Sequence, residues 1–346
     1  MSAVYDGLQY SDWVCDPVEV DTDMHVPQRV RKNVVFIGVE EHGRFIPKAT
    51  AFIVSCDLGG KRFDHFVTAE HVIVGLQTKG YERPLIRLNL SNGGGAVALP
   101  TIYDAWFFHP DPGSTDIAVS PANIDRSIYE FTHTPLTTFA MPQVIDEQRI
   151  GVGDEIFICG LFKNHWGQQR NIPVVRTGNI AAMPEEPIRT EYCGDIDAYL
   201  VEARSIGGLS GSPVFVHLPP IRVVDNDIIS MPEGGLVYYL IGLMHGHFDV
   251  QDLNEDVVTE DGGKGGNINT GIGVVIPAQK ISETIMQPEL AAKRQAIIDE
   301  LKSKGATADL VAVEDQEPPT KAENPQHRED FNRLLDAAVP GNKSDR

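Results

Sequence analysis

Three residue types, spread along the chain, could together do nucleophilic chemistry. Ser210 sits in Gly207-Gly208-Leu209-Ser210-Gly211-Ser212-Pro213, ahead of an apolar run at 214–217. Glycines on both sides let the backbone turn tightly and leave N–H groups pointing outward. A nucleophilic serine needs that setting: an exposed Oγ, and backbone donors aimed at the oxyanion its attack creates. The same residues would also make an ordinary glycine-rich turn before a strand, so their company decides. Residues 66–73 form a β-rich run with His71 near its end. Asp116 follows the turn Asp111-Pro112-Gly113 and opens the apolar stretch Ile117-Ala118-Val119. A serine hydroxyl is a poor nucleophile near neutral pH. It needs an imidazole base, and the base needs a buried carboxylate to fix its tautomer. The chain order is His, Asp, Ser, with separations of 45 and 94 residues. His65 competes with His71 but falls earlier in the strand. Asp104 and Asp111 compete with Asp116 but lack an apolar run to bury them.

These motifs resemble those of the trypsin-like (chymotrypsin-fold) serine peptidases. Thr68-Ala69-Glu70-His71 is similar to the Thr-Ala-x-His motif, and Asp116-Ile117-Ala118-Val119 to Asp-[Ile/Leu]-Ala-[Val/Leu]. Gly208-Leu209-Ser210-Gly211-Ser212-Pro213 resembles Gly-x-Ser-Gly-[Gly/Ser]-Pro. The resemblance runs through 151–160, 176–182, 240–247 and 271–277, and so covers residues 31–286. It is strongest to compact bacterial members, the high-temperature-requirement proteases and glutamyl endopeptidases, without the appended peptide-binding module of the former. It implies an all-β core of two antiparallel six-stranded β-barrels, at 31–135 and 136–286. An N-terminal extension (1–30) would precede them; C-terminal helix and partly disordered acidic tail (287–346) would follow. It also implies roles. Ser210 would be the nucleophile, His71 the base and Asp116 its orienting carboxylate, with the N–H groups of Gly208 and Ser210 forming the oxyanion hole. Arg204, Ser205, His245, Gly246, His247 and Gly273 would contact substrate. The implied reaction is peptide-bond hydrolysis through an acyl-enzyme, on a polypeptide substrate, with no cofactor and no metal.

Two departures from the family pattern carry expectations. Leu209 stands where zymogen-activated members have an aspartate that pairs with a new N-terminal ammonium. Leucine cannot make that pair, so the oxyanion loop must be held another way. Arg204 falls where tryptic members have an acidic pocket floor, and an arginine there disfavours Lys and Arg side chains. Arg204 could instead turn away to pair with a carboxylate such as Glu202. His245-Gly246-His247 is expected to form the pocket wall and the edge that pairs with substrate backbone. A rival zinc site from His245, His247 and Asp249 is the weaker reading, since a barrel strand already explains the stretch.

The composition narrows the partners. The chain has 346 residues, 42% of them hydrophobic, enough for a sizeable core. Its net charge of −20 argues against nucleic acid and anionic membrane surfaces. Residues 1–23 carry no signal-peptide pattern, and no stretch is long and apolar enough to span a bilayer. Cys15, Cys56, Cys159 and Cys193 are dispersed, with no CxxC pair, which predicts free thiols and a reducing, cytoplasmic setting. An activating partner could act through the N-terminal extension or the acidic tail.

The elements that must position these residues are legible in outline. Short β-branched runs at 33–39, 50–56, 62–68, 85–90 and 96–99, separated by turns such as Leu58-Gly59-Gly60, predict an antiparallel barrel or sandwich. A second β series runs over 154–276, interrupted by a glycine-rich loop at 252–269 that reads as a surface excursion. After Pro277 the period becomes helical, through Ile281, Ile285, Leu290, Ile297, Ile298 and Leu301, with Pro288 a break and Gly305 a stop. Phe331, Leu334 and Leu335 could form a further short helix.

Overall fold

The structure is a computed structural model. It describes residues 26–111, 113–190, 192–203, 208–219, 221–224, 227–230, 238–249 and 269–303. Contacts divide the chain into two units, Met1–Glu300 and Leu301–Arg346. Of the second, only the end of one helix is described. Cys15, Arg204, Ser205, Gly305, the loop at 252–268 and the tail with Phe331, Leu334 and Leu335 lie outside the described residues.

The N-terminal half is one sheet of nine strands. Its path is β5 (Ala96–Pro100), β4 (Leu85–Leu90), β1 (Val34–Glu41), β2 (Arg44–Leu58), β3 (Lys61–Thr68), β7 (Ala118–Ala122) and β6 (Phe107–Phe108). Two short strands hang off it: β8 (Tyr129–Glu130) on β4, and β9 (Thr134–Pro135), parallel, on β2. The β1–β2 hairpin turns at His42-Gly43, both with positive φ (53° and 71°), the two-residue geometry whose twist matches that of the flanking strands. Small α1 (Gln28–Asn33) leads into β1.

The C-terminal half is a closed antiparallel barrel. Round it run β10 (Glu155–Gly160), β11 (Val174–Ala182), β14 (Tyr199–Glu202), β19 (Asn269–Pro277), β18 (Tyr238–Asp249) and β15 (Pro213–His217). Two small hairpins stand apart: β12 (Ile188–Thr190) with β13 (Gly194–Ile196), and β16 (Ile221–Val224) with β17 (Asp227–Ser230). The expected pair of closed six-stranded barrels is thus met in one half. In the other, the ladder ends at β5 and β6, which do not pair among the described residues.

One core joins the two halves. Phe36, Phe52 and Phe139 pack in the same cluster as Phe157, Phe215 and Leu240 of the barrel, and Phe157 stacks on Phe215 at 5.1 Å between ring centres. A second cluster fills the barrel interior with Ile156, Ile158, Val214, Val216, Ile241 and Val275. The helical period after Pro277 becomes two helices, Ala278–Met286 and Pro288–Ser303. Gln287 between them is extended (φ −56°, ψ 149°), as the residue before a proline prefers. The second helix buries Leu290, Arg294 and Ile298 at i, i+4 and i+8. No described helix is long and apolar enough to cross a membrane.

One local expectation is corrected. His71 does not lie in a strand: β3 stops at Thr68, and His71 is the second residue of α2 (Glu70–Thr78). The apolar run through Val72-Ile73 reads as strand by composition, but Ala69 is extended (φ −76°, ψ 140°) and Glu70 opens the first turn, where an acidic side chain favours a helix start.

Candidate active site

The pairing of β3 with β7 creates the first half of the site. Thr68 lies opposite Ala118, so the residues just past one strand and just before the other meet. His71 is in the first turn of α2, where backbone N–H groups have no intrahelical acceptor. Asp116 Oδ1 takes the His71 N–H at 2.8 Å, and Asp116 Oδ2 accepts from His71 Nδ1 at 2.6 Å. One carboxylate therefore caps the helix and orients the ring it carries. Asp116 is 0% exposed. Burial pushes its carboxyl up, but hydrogen bonds from His245 and His71, and the imidazoles themselves, outweigh burial and hold it below the usual carboxylate range.

Ser210 comes from the loop ahead of β15, and this loop crosses to the other half of the molecule. Thr50 N–H on β2 donates to Ser210 O at 3.1 Å, Gly211 N–H donates to Met244 O at 2.8 Å, and Ser212 N–H donates to Leu209 O at 2.8 Å. Gly211 has φ +81°, and a Cβ on it would stand 2.2 Å from Thr50 O and 2.3 Å from Thr68 Oγ1. The bare backbone of Gly211 therefore lies against the end of β3, three residues before His71. Gly208 has φ +110°. The N–H groups of Gly208 and Ser210 donate to no group among the described residues, and no hydrogen bond there joins Ser210 Oγ to His71 Nε2.

His245 supplies what the sequence did not suggest. Expected on a pocket wall, its side chain instead reaches Asp116: His245 Nδ1 lies 2.5 Å from the same Oδ2 that serves His71. The two rings meet edge to face, 5.4 Å apart at 80°. An ionised carboxylate only accepts, so both Nδ1 atoms carry protons, and in the neutral rings both Nε2 atoms are left as acceptors. The strand pattern alone could have shown only that His245 alternates with buried Met244 and so leaves the barrel interior.

His71, Asp116 and His245 place ligand-type atoms within 4.8 Å of one another. Ligands about 2.0–2.2 Å from a tetrahedral zinc stand roughly 3.4 Å apart. The Nδ1···Oδ2 distances of 2.6 and 2.5 Å are well inside that and fit shared protons better than an ion.

Two further residues frame His71. Tyr192, at the tip of the β12–β13 hairpin and 43% exposed, meets the His71 ring edge to face at 5.6 Å. Beside it, Cys193 Sγ donates to Thr115 O at 3.5 Å, tying the hairpin to the residue before Asp116. Glu70, adjacent to His71, is pushed up to about 7 by burial and then by the Asp116 charge, partly offset by His71.

The remaining candidates fall elsewhere. His65 is 1% exposed beside Arg294 of the last described helix, with Nε2 at 3.3 Å from the guanidinium. Gly246 pairs with Val274, and His247 with Gly273, across the β18–β19 ladder. A Cβ on Gly273 would meet Met244 and Val201, on the barrel side. The side chains of His247 and Asp249 lie outside the described residues.

No protein-family model matches the chain, and no curated protein matches it. Among solved structures, it is similar to the MamO protease domain of Magnetospirillum magneticum at 15% identity and a TM-score of 0.43, over 75% of this chain and 98% of that one. It is similar to Deg5 at 18% identity and 0.42, over 74% and 88%. It is similar to the HtrA-type protease AlgW, determined with a decapeptide, at 17% identity and 0.39, over 77% and 73%. The first of these is a protease domain and the third an HtrA-type protease. The likeness is remote, and any catalytic reading must stand on the residues described above.

Proposed function

We propose that the chain is a serine endopeptidase on a chymotrypsin-like frame of two β-barrels, with Ser210 as nucleophile, His71 as base and Asp116 as orienting carboxylate. The observation that carries this reading is the doubly bonded His71–Asp116 pair. Oδ1 fixes the backbone and Oδ2 the ring, and the Ser210 loop is docked against the strand that leads to His71. Attack by Ser210 Oγ on a peptide carbonyl would form the C–O bond as His71 Nε2 takes the hydroxyl proton. The tetrahedral oxyanion would be met by the N–H groups of Gly208 and Ser210, each donor worth about 3–4 kcal/mol in the transition state. Collapse would break the C–N bond as His71 returns the proton to the leaving amine. Water then repeats the cycle on the acyl-enzyme. Arg204 leads us to expect substrates other than those cut after Lys or Arg, with acidic side chains the sharper expectation.

A fluorophosphonate probe tests the reading directly. It should label wild type at Ser210 and leave Ser210→Ala unlabelled. Equal labelling of both proteins would overturn it.

A second reading is favoured by the missing Ser210–His71 hydrogen bond among the described residues. The protein would be latent, and a partner or a bound peptide would close that contact. In that case labelling of wild type should be slow alone and accelerate at least tenfold with the activating peptide. A rate unchanged by any substrate-derived peptide would remove this reading.

A further inference from the structure

Among the described residues, the hydrogen bonds that reach the nucleophile loop from the opposite half of the molecule all come from one residue. Thr50, on β2 and 0% exposed, uses every polar atom it has. Its N–H donates to Ser210 O at 3.1 Å. Its hydroxyl donates to Gly208 O at 2.8 Å and accepts the Leu161 N–H at 2.9 Å. Its carbonyl accepts from Thr68 Oγ1 at 2.7 Å. Gly208 and Ser210 precede the first barrel strand of their loop, Leu161 follows β10, and Thr50 and Thr68 belong to the sheet that leads to His71. The two halves of the site therefore meet at this side chain.

Followed peptide by peptide, the loop has little freedom left. The Gly208 carbonyl is held by the Thr50 hydroxyl, and the Leu209 carbonyl by Ser212 N–H. The peptide between Ser210 and Gly211 is pinned at both ends, by Thr50 N–H and by Met244 O. Among the described residues, the N–H groups of Gly208, Leu209 and Ser210 donate to no group. Leu209 is buried and apolar, so it has no charge with which to anchor the loop. Of these ties to the loop, the one from the Thr50 hydroxyl to Gly208 O is the one made by a side chain.

We propose that Thr50 is a positioning residue: its hydroxyl fixes Gly208 against Leu161 and so presets the oxyanion donors in place of an ion pair. This inference rests on the peptidase reading above. Thr50 touches no substrate, and Thr50→Val keeps its shape while removing both hydroxyl hydrogen bonds.

In the full chain, Thr50→Val should lower kcat about 10- to 100-fold and leave KM within about threefold, since the lost interaction acts only in the transition state. Thr50→Ser should restore kcat to within about threefold of wild type. Amide hydrogen exchange at Leu161 and across 208–213 should rise in Thr50→Val and not in Thr50→Ser. Should Thr50→Val fail to fold, Thr50→Ala replaces it against Thr50→Ser with the same expected order. Unchanged kcat and exchange in the valine variant, or a serine variant as impaired as the valine one, would overturn the proposal. A wild type that neither cleaves peptides nor reacts at Ser210 would instead overturn the peptidase reading and with it the catalytic role of Thr50. Faster exchange in Thr50→Val would then mark a structural tie alone.

Discussion

At the residue scale, one carboxylate serves two imidazoles. Asp116 Oδ2 accepts a hydrogen bond from each Nδ1–H, so His71 shares its orienting group with His245. Residues that act as a unit lose activity together. Ser210→Ala and His71→Ala should each abolish turnover, and the double variant should be little worse. Peptidase assays on contaminant-free protein measure this, and clear residual activity in Ser210→Ala would refute it. Glu70 makes a pH prediction. Its carboxyl is pushed up to about 7, burial being the largest cause, so between the ordinary carboxylate range and pH 7 the folded protein holds a proton the unfolded chain has released. Stability from this group therefore falls as pH rises through that window and is flat above it. Glu70→Gln should show a gain in melting temperature over wild type that grows from about pH 4.5 to pH 7 and then levels. A gain independent of pH would show that charge is not the cause.

At the element scale, two positions carry opposite expectations. Gly211 combines positive φ with backbone where a Cβ would go, 2.2 Å from Thr50 O. Gly211→Ala should cost about 2 kcal/mol or more in chemical denaturation and disable the site, because strain and a clash with backbone act together. Arg294 is the reverse case. It is 4% exposed on the last described helix, and its polar contacts among the described residues are His65 Nε2 and Met286 Sδ at 3.8 Å, with no carboxylate. Burial pushes this guanidinium down, and burial next to Arg294 pushes His65 to about 4. A buried cation without a counterion is costly, and an apolar side chain of similar volume is often neutral or better by about 1–4 kcal/mol. Arg294→Met should hold or raise the melting temperature. A clear fall would show that the guanidinium contacts outweigh its desolvation.

At the scale of the whole molecule, a core continuous across both halves holds the described fold, and no disulfide joins the described cysteines. Cys56, Cys159 and Cys193 are free, and burial pushes Cys56 to about 11 and Cys159 to about 12. Reducing agent should leave the thermal midpoint unchanged, and Cys56 and Cys159 should react with a thiol reagent only on unfolding. A midpoint that drops on reduction would mean a disulfide holds the fold.

The sequence by itself determined the β-rich character, the helical turn after Pro277 and the break at Pro288. These follow from side-chain period and from proline's missing N–H, which act over a few residues. It also marked His71, Asp116 and Ser210, because nucleophilic chemistry restricts residue types and their immediate neighbours. Only the tertiary structure decided what those residues touch. His71 moved from a strand to a helix because the unpaired N–H groups of its first turn found Asp116, 45 residues away. His245 reached the same carboxylate across 129 residues, and Thr50 reached Gly208 across 158. A hydrogen bond is set by a few ångströms of space, and no local pattern of hydrophobicity or propensity encodes which distant backbone will arrive there.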